Sequence, residues 1–425
     1  MRILYAATDQ RVPGAVGGSV HVTAVAAGLA ALGHDVHVVV TRGDGPFPDD
    51  GATWIDLPPP LGARRLRWLL ASRVRALAER LRPDVVIERY YNFGGEGVVG
   101  ARAVGALAVL EVNAPVIDHP GSAKRRLDRA LLVEPMRRWR DWQCRHADLF
   151  LTPQADILPA WVTPERIVVV EWGADTLRFT PDAAGDVPFQ RPVAGPLVVF
   201  AGAFRAWHGA IHLVEAMRRL REHGRKDVSA VLIGGGPELP RVRQAAERLD
   251  GVTCTGAVPH EAMPACLAAA DIGAAPFDVG AHAPLSLGFF WSPLKVFEYM
   301  AAGLPVVAPA IDRLGRIVRD GREGILYNAE DPGALAAAIE TLCDAERRRR
   351  LGDAARARVV EHFGWDRHCE RLATAITEAV AARRGSRVPA VGGHSPRFGP
   401  VSRGRTATSG REPGPHPVRR GRSAP

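Results

Sequence analysis

A chain of 425 residues, 47% of them apolar, is long enough to bury more than one core, so two α/β domains are the natural expectation. Its formal charge of +9 suggests a nucleic-acid or membrane partner until the charge is located: from Arg383 to Pro425 ten arginines face one acid, Glu412, and ten minus one is the whole excess. The body before residue 383 is formally neutral, the five cysteines are scattered with no C-x-x-C pair, and no run reaches the roughly 18 apolar residues of a membrane-spanning helix, which argues against a zinc site, a disulfide framework or an integral membrane protein.

In chain order, Arg2 to Ala7 reads as a strand, too short for the apolar region of a signal peptide. A loop through Gly17-Gly18 leads into an Ala-rich helix over about Val20 to Leu32, which Gly33 ends. Strands are expected over 36–40, 84–88 and 106–112, each an apolar run suited to a buried parallel sheet. A Pro- and Gly-rich boundary falls at about 180–195, and the pattern then restarts. Leu197 to Ala201 is a strand, His212 to Leu220 a helix, and Ala230 to Ile233 a strand running into Gly234-Gly235-Gly236-Pro237. Two further strands are expected over 272–275 and 305–308. This alternation predicts two doubly wound α/β domains, over 1–185 and 196–365. A helix over 366–383 returns toward the first domain, and the Pro/Gly/Ser/Arg-rich remainder, 384–425, has the composition of a disordered tail.

Chemistry concentrates in the segment from Ser292 to Ala308. Ser292 suits an N-cap and Pro293 a first helical position, which would leave the N–H groups of Leu294 and Lys295 facing an anion. Lys295, one of three lysines among 55 basic residues, adds a full positive charge there. Glu298, three residues on, lies within reach of two ribose hydroxyls. An ordinary capped helix with a solvated lysine fits the same spacing equally well.

That segment resembles the donor-site helix of the family 4 glycosyltransferases, retaining enzymes of the GT-B fold. The resemblance runs through an ordered series: Gly17-Gly18, Gly33-His34-Asp35-Val36, Trp172-Gly173-Ala174-Asp175 with Phe179-Thr180-Pro181, Gly202 to Gly209, Gly234 to Pro237, and Ala270-Asp271-Ile272. It is most similar to the subset with a Trp-His-Gly and a Ser-Pro-x-Lys-x-x-Glu-Tyr-Met pattern. The resemblance implies an acceptor-side first domain, a nucleotide-sugar-binding second domain and a cleft between them. It implies Arg205 and Lys295 as the cations on the departing diphosphate, and Gly17, Gly18, Asn113, His208, Gly235, Ser292, Leu294 and Glu298 as donor-binding positions.

Two departures from the family pattern matter. Phe290 stands where the family often carries a first glutamate that touches the transferred sugar, and His208 stands where a diphosphate-binding lysine is common. With side-chain cations in place and no Asp-x-Asp motif, no metal or other cofactor is expected. For Asn113 a turn before Pro115, for Gly17-Gly18 and Gly235 plain α/β turns, and for His208 a helix-start histidine remain as structural alternatives.

Basic stretches at Arg64-Arg65-Leu66-Arg67-Trp68, continuing to Arg80, and at Lys124 to Arg126 with Arg137 to Arg140 fit either a solvated helix face or peripheral contact with an anionic membrane. The tail can attract nucleic acid electrostatically, but nothing in it reads bases. The expected protein is a cytoplasmic retaining glycosyltransferase with a nucleoside-diphosphate-sugar donor and an unidentified acceptor, in peripheral contact at most with the inner membrane face. A nucleotide-sugar epimerase of the same fold and a non-catalytic nucleotide-sugar-binding partner are its rivals.

Overall fold

A computed structural model describes residues 1–119, 122, 134–192, 194–311 and 313–385. Seven strands form the first sheet: β1 (Arg2–Val12), β2 (Asp35–Arg42), β3 (Thr53–Asp56), β4 (Val85–Arg89), β5 (Leu107–Glu111), β6 (Leu149–Thr152) and β7 (Ile167–Val169). All its pairings are parallel, in the order β3-β2-β1-β4-β5-β6-β7. Alternate residues of β1 serve opposite faces, as the two-residue period of a strand requires. Ile3 and Tyr5 pack toward the helices Gly17–Ala31 and Trp365–Gly385, and Leu4 toward Ala71–Leu81.

Six strands form the second sheet: β8 (Leu197–Ala201), β9 (Ser229–Ile233), β10 (Val252–Gly256), β11 (Ile272–Ala274), β12 (Val306–Pro309) and β13 (Gly324–Tyr327). Their order is β10-β9-β8-β11-β12-β13, again all parallel. Each sheet reverses its winding once, between β1 and β4 and between β8 and β11. Loops leaving the carboxyl ends of strands at such a reversal splay apart and leave a crevice, the usual ligand position in open α/β sheets.

The chain passes between the sheets at 171–175 and returns at 363–365, and the two passages pair. Ala174 N–H donates to the Phe363 carbonyl at 2.9 Å, and Trp365 N–H to the Ala174 carbonyl at 3.2 Å. A Cβ on Gly173 would lie 2.7 Å from the Phe363 oxygen, so only glycine allows this crossing. The last helix then buries Leu372, Ile376 and Val380 against the first sheet.

Several expectations change on contact with the structure. The first helix begins at Gly17, three residues before Val20, because the N–H groups of Ser19 and Val20 both reach the Val16 carbonyl, at 2.8 and 3.1 Å. Gly17-Gly18 is therefore a first helical turn rather than a loop. The stretch from Arg64 to Arg80 is not one solvated face, since Arg67 is wholly buried. Lys124 to Arg126 and residues 386–425 lie outside the described residues. Among the described residues no helix is long and apolar enough to cross a membrane.

Candidate active site

The β8–β11 reversal holds the second-domain part of the site. The helix Leu294–Ala301 is fixed to it by Tyr299, whose hydroxyl accepts the Ala201 N–H at 2.7 Å at the end of β8. Gly202 follows directly, with φ of +138°, and a Cβ there would stand 3.1 Å from both Cε and Nζ of Lys295. The backbone angle favours glycine there, and the end of the lysine chain packs closely beside it.

Lys295 is 8% exposed, and its ammonium has no hydrogen-bond partner among the described residues. It rests 3.9 Å from the centroid of the Phe200 ring and 5.5 Å from that of Phe277, a cation–π seat in place of a salt bridge. Burial lowers its pKa to about 7, against the opposing pull of Glu298. The solvated lysine that the spacing also allowed is excluded.

Glu298 is equally buried. Burial raises its carboxyl to about 8, with Lys295 and Arg178 pulling the other way. No ion pair within 4.0 Å joins it to Lys295, so each bears most of its own desolvation. His208 closes the short turn Ala206–His208, and its Nδ1 is likewise buried and unpartnered. Burial and then the charge of Lys295 push it down to about 2, which leaves a neutral imidazole. Of the two side chains, His208 is the one held neutral.

The start of the Lys295 helix departs from expectation. Pro293, not Ser292, is the flanking residue, and no side chain caps the turn. The Ser292 hydroxyl instead accepts the Trp172 N–H at 3.0 Å and donates to Glu171 at 3.4 Å, tying the two domains together. The Leu294 N–H turns back to the Ser292 carbonyl at 3.0 Å, so it is not a free donor, and the Leu294 side chain comes within 4.0 Å of where a Gly17 Cβ would be. Gly17 thus faces the Lys295 helix across the cleft. A Cβ on Gly18 would meet the Gln10 side chain, a packing reason for that glycine.

Asn113 does not point freely into the cleft. Its amide donates to Glu111 and its oxygen accepts the Trp172 indole N–H at 3.0 Å, bridging β5 to the inter-domain passage. Gly235 gives its carbonyl to the Phe204 N–H at 2.9 Å, so the glycine loop supports the Gly202–Gly209 loop from behind. Arg205 is exposed and borders a cleft of about 150 Å³ with Ile211, His212, Glu238, Arg241 and Asp278. That volume is below the 300 Å³ or so at which ligand sites usually begin. Lys295 and Arg205 both act on His208 and lower its pKa.

Three features escaped the sequence. Arg313, 6% exposed, donates to the carbonyls of Phe289, Pro153 and Trp291 and to both oxygens of Glu171, at 2.6 and 2.7 Å, and so locks the loop before Lys295 to the first domain. Trp207 and Trp291 stack with centroids 4.0 Å apart and planes 18° off parallel. In the first domain Arg67 joins Asp9 at 2.6 Å and Glu96 at 2.7 Å, with Glu88 at 3.6 Å. The aromatic run Phe289-Phe290-Trp291 was a visible signal for the second; the other two rest on partners far away in sequence. Among the described residues no group of three or more His, Cys, Asp or Glu is placed to hold a metal ion.

Two family models match the chain in turn: Glycosyltransferase Family 4 over residues 16–178, and Glycosyl transferases group 1 over residues 195–345. A D-inositol 3-phosphate glycosyltransferase of Xylanimonas cellulosilytica is 32% identical over 235 residues, which covers 52% of this chain and 53% of that protein. The chain spans about half the length of the curated relatives it matches. Among solved structures, sucrose-phosphate synthase from Thermosynechococcus elongatus superimposes with a TM-score of 0.71 at 22% identity, covering 90% of this chain and 99% of that one. Anabaena HepE in complex with UDP and glucose gives 0.66 at 17% identity, covering 89% and 100%.

Proposed function

We propose that this chain, a family 4-like glycosyltransferase of GT-B fold, moves a sugar with retention from a nucleoside-diphosphate donor whose diphosphate is received by Lys295. The observation that carries the reading is the Lys295 ammonium at the β8–β11 reversal, without a hydrogen-bond partner among the described residues and beside Gly202, whose φ of +138° disfavours a side chain. A buried cation held only by ring faces is unstable relative to one meeting an anion. Its flexible stem lets the ammonium leave the Phe200 ring for an entering diphosphate.

As the sugar departs, negative charge grows on the leaving phosphate, and a cation already in place stabilises that charge in the transition state. Arg205 supplies a second positive group at the mouth. Glu298 reaches the ribose hydroxyls, its raised pKa making it a donor as well as an acceptor. The Gly17 turn faces the same region from the first domain. With the charge borne by side chains, transfer proceeds without a divalent metal. The reading places the enzyme in the cytoplasm, consistent with five unpaired cysteines.

Peripheral contact of the first domain with anionic membrane belongs to the same reading. Leu61 is 97% exposed, and Trp68 and Leu69 lie near it beside the exposed Arg64, Arg65 and Arg73.

Calorimetric titration with UDP, GDP, ADP and dTDP tests the donor assignment, with one of them expected to bind the wild type and to bind Lys295→Met far more weakly. Turnover of the matching donor should survive chelation and give a product with the donor's anomeric configuration by NMR. Equal binding to both proteins, dependence on added magnesium or manganese, or an inverted product would each sink the corresponding part. Co-sedimentation with anionic but not neutral vesicles checks the membrane contact.

A further inference from the structure

One residue of the passage between the domains reaches into both of them. Glu171 opens the stretch 171–175, and its carboxylate is mostly buried. Both of its oxygens accept from Arg313 Nη1, at 2.6 and 2.7 Å, and Oε2 also accepts from the Ser292 hydroxyl at 3.4 Å. Its carbonyl accepts from Nδ1 of His368 at 2.7 Å, on the helix Trp365–Gly385 that packs on the first sheet. Burial lifts the Glu171 carboxyl above its ordinary range even with Arg313 beside it, so the charges themselves add little to stability.

These contacts converge on the segment that leads into the Lys295 helix. Arg313 also donates to the carbonyls of Phe289, at 2.9 Å, and of Trp291, and Ser292 Oγ accepts the Trp172 N–H at 3.0 Å. Residues 289, 291 and 292 are thus tied down immediately before Leu294–Ala301, whose second residue is Lys295 and whose first turn no side chain caps. Arg313 carries the tie to the first domain through the Pro153 carbonyl at 2.9 Å, and Trp172 does so through Asn113 at 3.0 Å. Tyr299 fixes the far end of this helix to its own sheet, but the end bearing Lys295 is placed by the passage and the first domain.

We propose that Glu171 is a positioning residue for the transfer: through Arg313 and Ser292 it holds the start of the Lys295 helix in the register at which the ammonium meets the diphosphate. This rests on the donor reading above. A buried ion pair is a weak source of stability, and its best-attested use is to fix one register over near alternatives. A guanidinium suits that use because its donors point in fixed directions in one plane, and here Nε, Nη1 and Nη2 are all engaged. A displacement of about 1 Å at a reacting site lowers a rate by about 10²-fold. The expected effect of losing Glu171 is therefore on transfer within a folded site.

The test uses the full chain, calorimetry with whichever of UDP, GDP, ADP and dTDP binds the wild type, and the rate at which that nucleotide is released from its sugar ester. Glu171→Ala should weaken nucleotide binding by about three- to tenfold and lower kcat by about ten- to a hundredfold, with one site per chain still counted. Glu171→Gln keeps an oxygen for Arg313 and should recover most of both losses. A role confined to stability gives another pattern: the melting temperature and the fraction of competent chains fall, while Kd and kcat per competent chain stay at wild-type values. That pattern overturns the proposal, as does wild-type Kd and kcat in a stable Glu171→Ala. If Glu171→Ala does not fold, Ser292→Ala removes a single tie and should lower kcat by about two- to fivefold; an unchanged kcat there overturns the proposal. Absence of nucleotide binding in the wild type, or binding that Lys295→Met leaves intact, refutes the donor reading and takes the positioning role with it. A wild type that binds through Lys295 while Glu171→Ala turns over normally refutes the positioning role alone.

Discussion

In the first domain Arg67 is wholly buried and answered by three carboxylates, whereas in the second Lys295 is nearly as buried, feels Glu298 only at a distance and has no hydrogen-bond partner among the described residues. Both sit at a reversal of winding. Asp9 lies on β1 and Glu88 on β4, while Lys295 packs beside Gly202 at the end of β8. Burial works against the charge of both, yet Glu96, Asp9 and Glu88 more than offset it for Arg67 and hold its pKa above the ordinary value. For Lys295 burial wins, and the pKa falls to about 7. A buried cation with its anions already present holds a fold together. The role proposed for Lys295 is instead to receive an anion from the donor.

Arg67→Met leaves Glu88 and Glu96 facing each other without the guanidinium, and removing one side of such a cluster costs about 3–5 kcal/mol. Urea denaturation should show a loss of that size. A change below about 1 kcal/mol would mean that the network is not structural.

Lys295→Met should do the reverse. Unfolding stability should stay level or rise, because an uncompensated charge is replaced by a side chain of similar volume. kcat/KM should fall by about 10²-fold, roughly 2.7 kcal/mol of transition-state stabilisation. Lys295→Arg should recover only part of it, since a broad planar guanidinium does not fit where a point charge does. Lost stability with retained turnover would place Lys295 in the same structural class as Arg67.

A third measurement separates the clusters by pH. With a free pKa of about 7, Lys295 binds a nucleoside diphosphate as the ammonium, so binding raises its pKa and takes up a proton above pH 7. Below pH 7 both free and bound states are protonated, and this group contributes no slope. Above it, affinity should fall about tenfold per pH unit toward the bound-state pKa. Glu298, raised to about 8, loses its own proton next and steepens the decline. Lys295→Met should abolish the first part of that slope, and affinity flat from pH 7 to 9 in the wild type would contradict the proposed contact.

Sequence reading reached the second cluster but not the first. Gly202 to Gly209, Lys295 and Glu298 lie in local patterns with a strand before or a helix through them, so the family resemblance could point to them where spacing alone left a solvated lysine equally open. Arg67 read as one more member of a basic run, because its partners lie 58, 21 and 29 residues away on Asp9, Glu88 and Glu96. Ser292 misled for a related reason. Its type suits a cap, but Trp172 N–H and Glu171, some 120 residues earlier, compete for the hydroxyl and win. Asn113 is held by Trp172 in the same way. The strands missed were short ones, such as β6 and β7 with four and three residues, whose apolar runs carry little period.

The smallest expected effect is at His208, and it probes how far the lysine acts alone. Burial and the neighbouring ammonium keep this imidazole neutral at any working pH, so its removal takes no charge from the site. Nδ1 is unpartnered, and with the ring neutral it can accept a hydrogen bond from Lys295 once the ammonium moves, or Nε2 can serve a phosphate as a neutral donor. A neutral hydrogen bond is worth about 0.5–1.5 kcal/mol. His208→Ala should therefore lower kcat/KM by about two- to tenfold, without altering the slope above pH 7, and His208→Gln should restore part of the loss. A defect as large as that of Lys295→Met, or a slope that vanishes with the imidazole, would mean that the titrating group is His208 and that the cation of the second cluster has been misassigned.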